Sequence, residues 1–367
     1  MTSCNVLVVG TGSIGRRHIA NLLALGARVL AYSYRAATPA GSALAAAPAG
    51  SVVAVAPLPE GVEPVTDLAA ALQRVDAVVV ANRTDQHIPV ALQAARAGRA
   101  LFVEKPLSAD LHGVQQLLAE VSGRSLIVEA GYMLRLHPNL QWLRTALDQG
   151  LIGEVFCARA AVGQWLPDWR PGTDHRQGYG ARRATGGGVI FDLVHELDLI
   201  HWLLGPVHDV SAMTRTVPAL EIETEAVAQI GLRLASGVIA QVHLDYVRPG
   251  YGRHFEIVGR QGVLVWDYTA GTVSLERPGA PAQTVHRVPE GFQRNDMFRG
   301  HMAHFLARVQ GQDLQAASPL SDGVAVLRMA LAAHLSSRER RAVDPRSSTL
   351  PGPAEAASAS TPGECTP

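Results

Sequence analysis

Cysteine is scarce in this chain. Cys4, Cys157 and Cys365 are its only three, too few and too scattered for a disulfide framework or a zinc site. Charge of one sign is not in excess either. Lys plus Arg and Asp plus Glu stand at 32 each, and this balance argues against a nucleic-acid partner, which would call for a basic surplus. No apolar run reaches the length of a membrane span. Asn5 to Val9 reads as a strand rather than the apolar core of a leader. A cytoplasmic protein with no membrane partner is expected. What remains is ordinary for a globular chain: 367 residues, 47% hydrophobic and 17% charged, enough for two domains.

The first 130 residues alternate strand and helix patterns. Val6–Val9 is a short β-branched run, Ile14, Ile19, Leu22, Leu23 and Leu25 recur near helical spacing over 13–25, and Gly26 closes that helix. Arg28–Tyr32, 76–81, Ala100–Val103 and Leu126–Glu129 read as further strands, with a helix over 86–97. Residues 36–60, rich in Ala, Gly and Pro, give no clear elements. Such alternation implies an α/β fold with a doubly wound parallel sheet. Beyond residue 150 the pattern changes. A strand over Val155–Val162 and a polar loop from about 165 to 185 precede a helix over 189–203. Runs near 207–216, 224–234, 237–247, 253–258, 262–267 and 272–276 are short strands between tight turns, which implies a largely antiparallel sheet. Two helices follow, about 295–310 and 320–337. The expected organisation is a Rossmann domain over 1–130, an α+β domain for substrate and oligomerisation over 131–344, and a disordered Ser/Pro/Ala/Gly-rich tail over 345–367.

Three segments carry chemistry. In the first, Gly10-Thr11-Gly12-Ser13-Ile14-Gly15 follows a strand and opens a helix. Gly10 permits the tight turn, Gly12 lets backbone approach a pyrophosphate, and Gly15 allows close helix–strand packing. The phosphate meets amides at the helix N-terminus. At the end of the second strand, where a carboxylate would bind the ribose hydroxyls of NAD, stands Ala31-Tyr32-Ser33-Tyr34-Arg35. Ser33 and Arg35, with help from Arg16 or Arg17, suit the 2′-phosphate of NADP, so NADP is favoured over NAD.

The second segment, Glu104-Lys105-Pro106, ends a parallel strand, on the side of such sheets where ligands bind. A lysine there can donate to a substrate hydroxyl and stabilise a developing alkoxide. The third runs from Gly186 to Asp198. Asp192 and His195, three apart, should share one helix face, with Asp198 one turn on. Histidine has the pKa to take and return a proton near neutrality. Asp192, His195 and Asp198 are conceivable metal ligands.

The loop from Gln164 to Arg183 is the expected substrate reader. Trp165, Asp168, Trp169, Tyr179, Arg182 and Arg183 stand out in it, along with Arg170, Asp174, His175 and Arg176. Aromatic rings suit sugar faces, and arginines suit phosphate or carboxylate. This favours an anionic sugar over a plain cyclitol.

Taken together, the glycine loop with His18, Glu104-Lys105-Pro106 and Gly186-Gly187-Gly188 through His195-Glu196-Leu197-Asp198 resemble the glucose–fructose oxidoreductase / inositol dehydrogenase (Gfo/Idh/MocA) family. The resemblance runs from residue 4 to about 343 and takes in His87, Arg135-Leu136-His137-Pro138 and Gly150-Leu151-Ile152-Gly153. It implies an N-terminal Rossmann domain, and a C-terminal domain whose open sheet mediates homo-oligomers such as a dimer or tetramer. It implies hydride transfer between NAD(P) and a ring carbon of a sugar or cyclitol, with no metal. It makes Lys105 and His195 catalytic, with Asp192 as their catalytic partner. Asn82, His87, Glu104 and Lys105 join the cofactor set, and Arg135 and Asp192 the substrate set. One departure stands out: many members place the motif aspartate four residues before the histidine, where this chain has Phe191, and Asp192 is only three before. Some sugar dehydrogenases, many resembling nucleotide-sugar enzymes, share the shorter spacing. Two other classes remain open: an imine- or biliverdin-type reductase, which need not keep both Lys105 and His195, and a non-catalytic dinucleotide sensor, expected to lose one of them.

Overall fold

The computed structural model describes residues 4–33, 57–170, 172–348 and 350. They divide into two compact units, each assembled from separate stretches of chain: the described residues within 1–104, 112–133 and 293–320 in the first, and those within 105–111, 134–292 and 321–367 in the second.

The first unit is built on six parallel strands: β1 (Asn5–Val9), β2 (Arg28–Tyr32), β3 (Val62–Val65), β4 (Ala77–Val80), β5 (Ala100–Val103) and β6 (Val128–Ala130). Their order is β3-β2-β1-β4-β5-β6, the doubly wound arrangement, in which the order reverses beside β1. Val6 to Val9 and Ala77 to Val80 are fully buried, as their unbroken apolar runs require when both sheet faces are covered. The helices are α1 (Ser13–Ala24), α2 (Leu68–Leu72), α3 (His87–Arg96) and α4 (Val114–Gly123). At the end of α1, the amides of Gly26 and Ala27 reach the carbonyls of Leu23 and Leu22, both at 3.0 Å. With Gly26 left-handed, this is a Schellman ending. The later helix α8 (Arg294–Val309) returns to this unit. Its Met302, Phe305 and Leu306 join Val6, Val8, Ile19, Leu22 and Phe102 in one core cluster, each stabilising by about 1.5–3 kcal/mol.

The second unit holds an eight-stranded sheet ordered β14-β13-β12-β11-β7-β10-β9-β8. Its strands are β7 (Val155–Gly163), β8 (Val207–Arg215), β9 (Val227–Leu234), β10 (Ile239–Asp245), β11 (Gly252–Gly259), β12 (Gly262–Asp267), β13 (Thr272–Glu276) and β14 (Gln283–Arg287). Neighbours are antiparallel except β7 and β10. Alternate residues are buried, as in β9, where Ala228, Ile230, Leu232 and Leu234 point inward. The covered face meets α6 (Val189–Asp192) and α7 (His195–Leu204) over β7, β9 and β10. Helix α5 (Pro138–Asp148) starts with Pro138 after His137, whose side chain accepts from Asn139 N. In α9 (Leu320–Glu339), Ser336 and Ser337 Oγ accept from the amides of Ala212 and Thr214 at 2.9 and 3.0 Å. These bonds satisfy donors of edge strand β8.

The structure corrects one expectation that bears on the site. The helix expected over 189–203 is two helices, broken at Leu193-Val194. The polar loop expected at about 165–185 carries four 3-10 turns, over Leu166–Trp169, His175–Gln177, Tyr179–Ala181 and Arg183–Thr185. At the C-terminal end, Arg328 Nη1 donates to the Ser347 carbonyl at 3.1 Å and Leu350 is buried. Residues 351–367 lie outside the described residues. No helix among the described residues is long and apolar enough to cross a membrane.

Candidate functional site

In the first unit, the turn between β1 and α1 is shaped by Gly10. Its φ is +106°, and a Cβ there would lie 2.5 Å from the Ala81 carbonyl oxygen and 2.6 Å from Asn82 N. Only glycine fits without displacing backbone. Gly15 presses equally against the Gly10 carbonyl, whereas nothing approaches within 4 Å of a Cβ placed on Gly12. The loop is therefore tight at both ends and open in the middle. Ser13 is exposed and Ile14 half-buried. Among the described residues no side chain caps the amides at the start of α1, and its first turn carries no acidic residue. A surface of this kind suits a pyrophosphate. Beside it, Asn82 Oδ1 is buried with no hydrogen-bond partner among the described residues, and His87 Nε2 donates to the Asn82 carbonyl at 3.2 Å.

Other residues of the cofactor set are placed differently. Ser33 follows β2 directly, half-buried, while Arg35 lies outside the described residues. Arg16 is taken up by the carbonyls of Thr11 and Pro57 at 3.1 and 2.9 Å. Arg17 stacks over the Phe298 ring, 4.6 Å from its centre. Glu104 is turned into the interior, where Oε1 lies 2.6 Å from His18 Nε2.

In the second unit two of the three expected catalytic residues, Lys105 and Asp192, are in direct contact, and His195 follows Asp192 three residues on. Lys105 Nζ donates to the main-chain carbonyl of Asp192 at 2.7 Å. In an unbroken helix that carbonyl would accept from the amide of Glu196. Here the Glu196 amide turns to the Leu193 carbonyl instead. The helix break that divides α6 from α7 thus supplies the oxygen that holds the lysine. Asp192 closes α6, and His195, 5% exposed, opens α7. They do not share the face of one helix.

The Asp192 side chain is clasped on both oxygens. Tyr179 Oη donates to Oδ1 at 2.6 Å and Tyr246 Oη to Oδ2 at 2.7 Å. Burial, with the Asp192 charge alongside, pushes the Tyr246 phenol well above its ordinary pKa, so it serves as a donor. Gly188, at φ +114°, lies against the Glu225 carboxylate, where a Cβ would collide. The Glu225 carbonyl accepts from Val189 N at 3.1 Å, and its Oε1 accepts from Ile190 N at 3.2 Å. Both bonds fix the start of α6. Next in the chain after His195, buried Glu196 binds Arg253 at 2.7 Å. Burial works against the Arg253 charge, but Glu196 outweighs it and raises the pKa.

The residues expected to bind substrate separate into two groups. Trp169 and Tyr246 meet edge to face, ring centres 5.2 Å apart, and Trp169 donates Nε1 to the Gln164 carbonyl at 3.2 Å. Arg170 lies over the Tyr179 ring at 5.8 Å. Trp165 is half-buried, and Asp168, Arg182 and Arg183 are exposed. Arg135 is different. It is 2% exposed, with its guanidinium forked onto Asp198 at 2.6 and 3.1 Å and onto Asp322 at 2.8 Å. Burial opposes its charge; the two carboxylates overcome that and raise its pKa. Against the burial that would raise it, hydrogen bonding to His201 and the charge of Arg135 hold Asp322 down to about 2. Asp198 is therefore engaged in this ion pair. Among the described residues, no group of three His, Cys, Asp or Glu is disposed to hold a metal ion.

Sequence reasoning missed Tyr246 and Glu225. Tyr246 follows an alternating strand and reads as core, and the only hint in Glu225 is a carboxylate beside an apolar strand.

A model of the oxidoreductase family with NAD-binding Rossmann fold matches residues 4–132, and a model of the GFO/IDH/MocA C-terminal domain matches residues 140–265. An inositol 2-dehydrogenase/D-chiro-inositol 3-dehydrogenase of Shouchella clausii is 31% identical over 265 residues, covering 70% of this chain and 70% of that protein. A 1,5-anhydro-D-fructose reductase of Ensifer adhaerens is 27% identical over 271 residues, 70% of this chain and 78% of that protein. The crystal structure of GenD2 from gentamicin A biosynthesis, in complex with NAD, is 27% identical with a TM-score of 0.74, covering 94% of this chain and 97% of that one. The chain belongs to the Gfo/Idh/MocA family of oxidoreductases with an NAD-binding Rossmann fold.

Proposed function

We propose that the protein is an NAD(P)-dependent dehydrogenase or ketoreductase acting on a ring CH–OH of a sugar, and that the sugar is a sugar phosphate or nucleotide sugar. The observation that carries the reading is the meeting of Lys105 and Asp192 at 2.7 Å three residues before His195. Gly10, Gly12, Ser13, Ile14 and Gly15 with the α1 amides hold the dinucleotide, whose nicotinamide accepts or gives the hydride. In oxidation, His195 takes the hydroxyl proton as general base, and it returns the proton in reduction. The Lys105 ammonium donates to the same oxygen and stabilises alkoxide charge as it develops. Asp192 steadies Lys105 through its main-chain carbonyl.

Trp165, Trp169 and Tyr179 give the sugar apolar faces, and Asp168 accepts from its hydroxyls. Arg182 and Arg183, exposed in the same loop, meet the anion. NADP is preferred because Tyr32-Ser33-Tyr34-Arg35 offers no carboxylate to a ribose 2′-hydroxyl. The enzyme works in the cytoplasm as a homodimer or homotetramer, a reading supported by exposed Phe156, Met213 and Ile239 in the sheet of the second unit.

A second reading, a cyclitol dehydrogenase, is supported by the inositol 2-dehydrogenases among the relatives. Turnover followed at the nicotinamide absorbance band with free inositol, free glucose, sugar phosphates and nucleotide sugars separates the two. Preference for the anionic sugars supports the first reading, and preference for free inositol replaces it with the second.

A further inference from the structure

Asp192 is the point on which three separately anchored groups converge. Its carbonyl takes Lys105, and its two carboxylate oxygens take the hydroxyls of Tyr179 and Tyr246. Tyr246 is fully buried just after β10, in edge-to-face contact with Trp169. Its amide donates to the Ala226 carbonyl at 2.8 Å, which fixes the backbone under the ring. Tyr179 sits in the substrate loop, where the backbone is pinned just beyond it. Thr224 Oγ1 and Gly188 N both donate to the Gly180 carbonyl, at 2.9 and 3.0 Å, and Glu223 N donates to the Ala181 carbonyl at 3.0 Å. Each phenol thus reaches Asp192 from backbone that is hydrogen-bonded to another segment.

With one oxygen held by each phenol, the carboxylate has a single orientation. The residue's backbone, and with it the carbonyl under Lys105, is fixed from the side-chain end. This matters because α6 has only four residues. So short a helix has little hydrogen bonding of its own to hold it. We infer that Tyr246 and Tyr179 are positioning residues for the reaction, acting through the Asp192 carboxylate to set Lys105 and His195, and that Asp192 holds the site in place while His195 moves the proton. The inference rests on the dehydrogenase reading for its kinetic consequence, although the clasp itself does not.

The test is a cycle of variants that remove only hydroxyls. Tyr179→Phe, Tyr246→Phe and the pair are made in the wild-type chain and again in an Asp192→Ala chain. For each protein, kcat and KM are measured with the best sugar, the dinucleotide Kd by fluorescence, and the melting temperature. In the wild-type chain the paired substitution is expected to lower kcat by roughly 10- to 100-fold, the range of lost charge-assisted hydrogen bonds. KM and Kd should stay within about twofold. In the Asp192→Ala chain the same pair should change kcat by less than about twofold, because the group the phenols act on is gone. Additive losses in the two backgrounds, or a loss that appears in KM with kcat intact, overturns the inference. If no sugar is turned over by the wild type, the dehydrogenase reading fails on its own, and the melting temperatures still decide the clasp. The Phe pair must then lower the melting temperature in the wild-type chain and leave it unchanged in the Asp192→Ala chain; equal shifts in both overturn it.

Discussion

The glycine loop of the first unit allows its two duties, folding and binding, to be pulled apart by single methyl groups. At Gly12, φ is −72° and ψ −171°, a conformation open to alanine. A Cβ there meets no atom within 4 Å. The penalty to the fold is the weaker N-cap tendency of alanine relative to glycine, about 0.5–1 kcal/mol, offset by the roughly 0.4–1 kcal/mol that alanine contributes by restricting the unfolded chain. Gly10→Ala differs on both counts. It forces an L-residue to φ +106°, costing about 1–3 kcal/mol, and it drives a methyl group to 2.5 Å from the Ala81 carbonyl oxygen. Relief requires β1 and β4 to part, and the total should reach several kcal/mol.

Gly12→Ala should therefore melt within about 1 °C of the wild type and bind dinucleotide at least roughly tenfold more weakly, since the methyl fills the space the pyrophosphate needs. Gly10→Ala should melt many degrees lower or fail to fold. Differential scanning fluorimetry and a fluorescence titration with NADPH and NADH read both quantities. Wild-type dinucleotide affinity in Gly12→Ala, with the fold intact, would refute the placement of the cofactor on this loop.

Three further outcomes follow from the same geometry. Arg135→Met should destabilise by about 3–5 kcal/mol, because it leaves Asp198 buried and unpaired; chemical denaturation measures this, and a raised sugar KM with unchanged stability would restore Arg135 to the substrate. His137, buried and near Arg253 and His286, has its pKa lowered from 6.5 to about 4. A depressed histidine stabilises the fold above its unfolded pKa and loses that contribution as the pH falls from 6.5 toward 4, by as much as roughly 3 kcal/mol. His137→Gln should flatten the melting temperature over that pH window, and an unchanged slope would count against this assignment. Finally, Arg35→Ala should weaken NADP by about 10- to 150-fold and NAD hardly at all, as titrated by fluorescence; equal losses would remove the 2′-phosphate contact.

What the sequence made legible was whatever depends on local pattern. The β-branched run at Val6–Val9 and the glycines after it marked the Rossmann turn, because backbone approach to phosphate demands small residues at set intervals. Lys105 and His195 were legible as chemistry-bearing residues in otherwise apolar surroundings. The break between α6 and α7 was not legible. Val189 to Leu204 is apolar at helical spacing, and nothing local announces that Lys105, far earlier in the chain, takes the Asp192 carbonyl. The same holds for Tyr246, whose hydroxyl finds its partner only in a carboxylate distant in the chain. Arg135 resembled a substrate contact in its motif, and the carboxylates that occupy it lie 63 and 187 residues away. Return of α8 to the core of the first unit likewise depends on packing of Met302, Phe305 and Leu306, which an isolated amphipathic pattern does not reveal.

The central claim is that Lys105 and His195 carry NAD(P)-dependent hydride transfer at a sugar CH–OH. The most direct measurement follows the nicotinamide absorbance band for the wild type and for His195→Ala, with the sugar panel and with NADP and NAD. The account predicts sugar-dependent reduction of the dinucleotide by the wild type. In His195→Ala it predicts turnover lower by roughly 100- to 10,000-fold, with dinucleotide affinity retained. Wild-type turnover in His195→Ala, or no sugar-dependent change in the band for the wild type with any member of the panel, would contradict it.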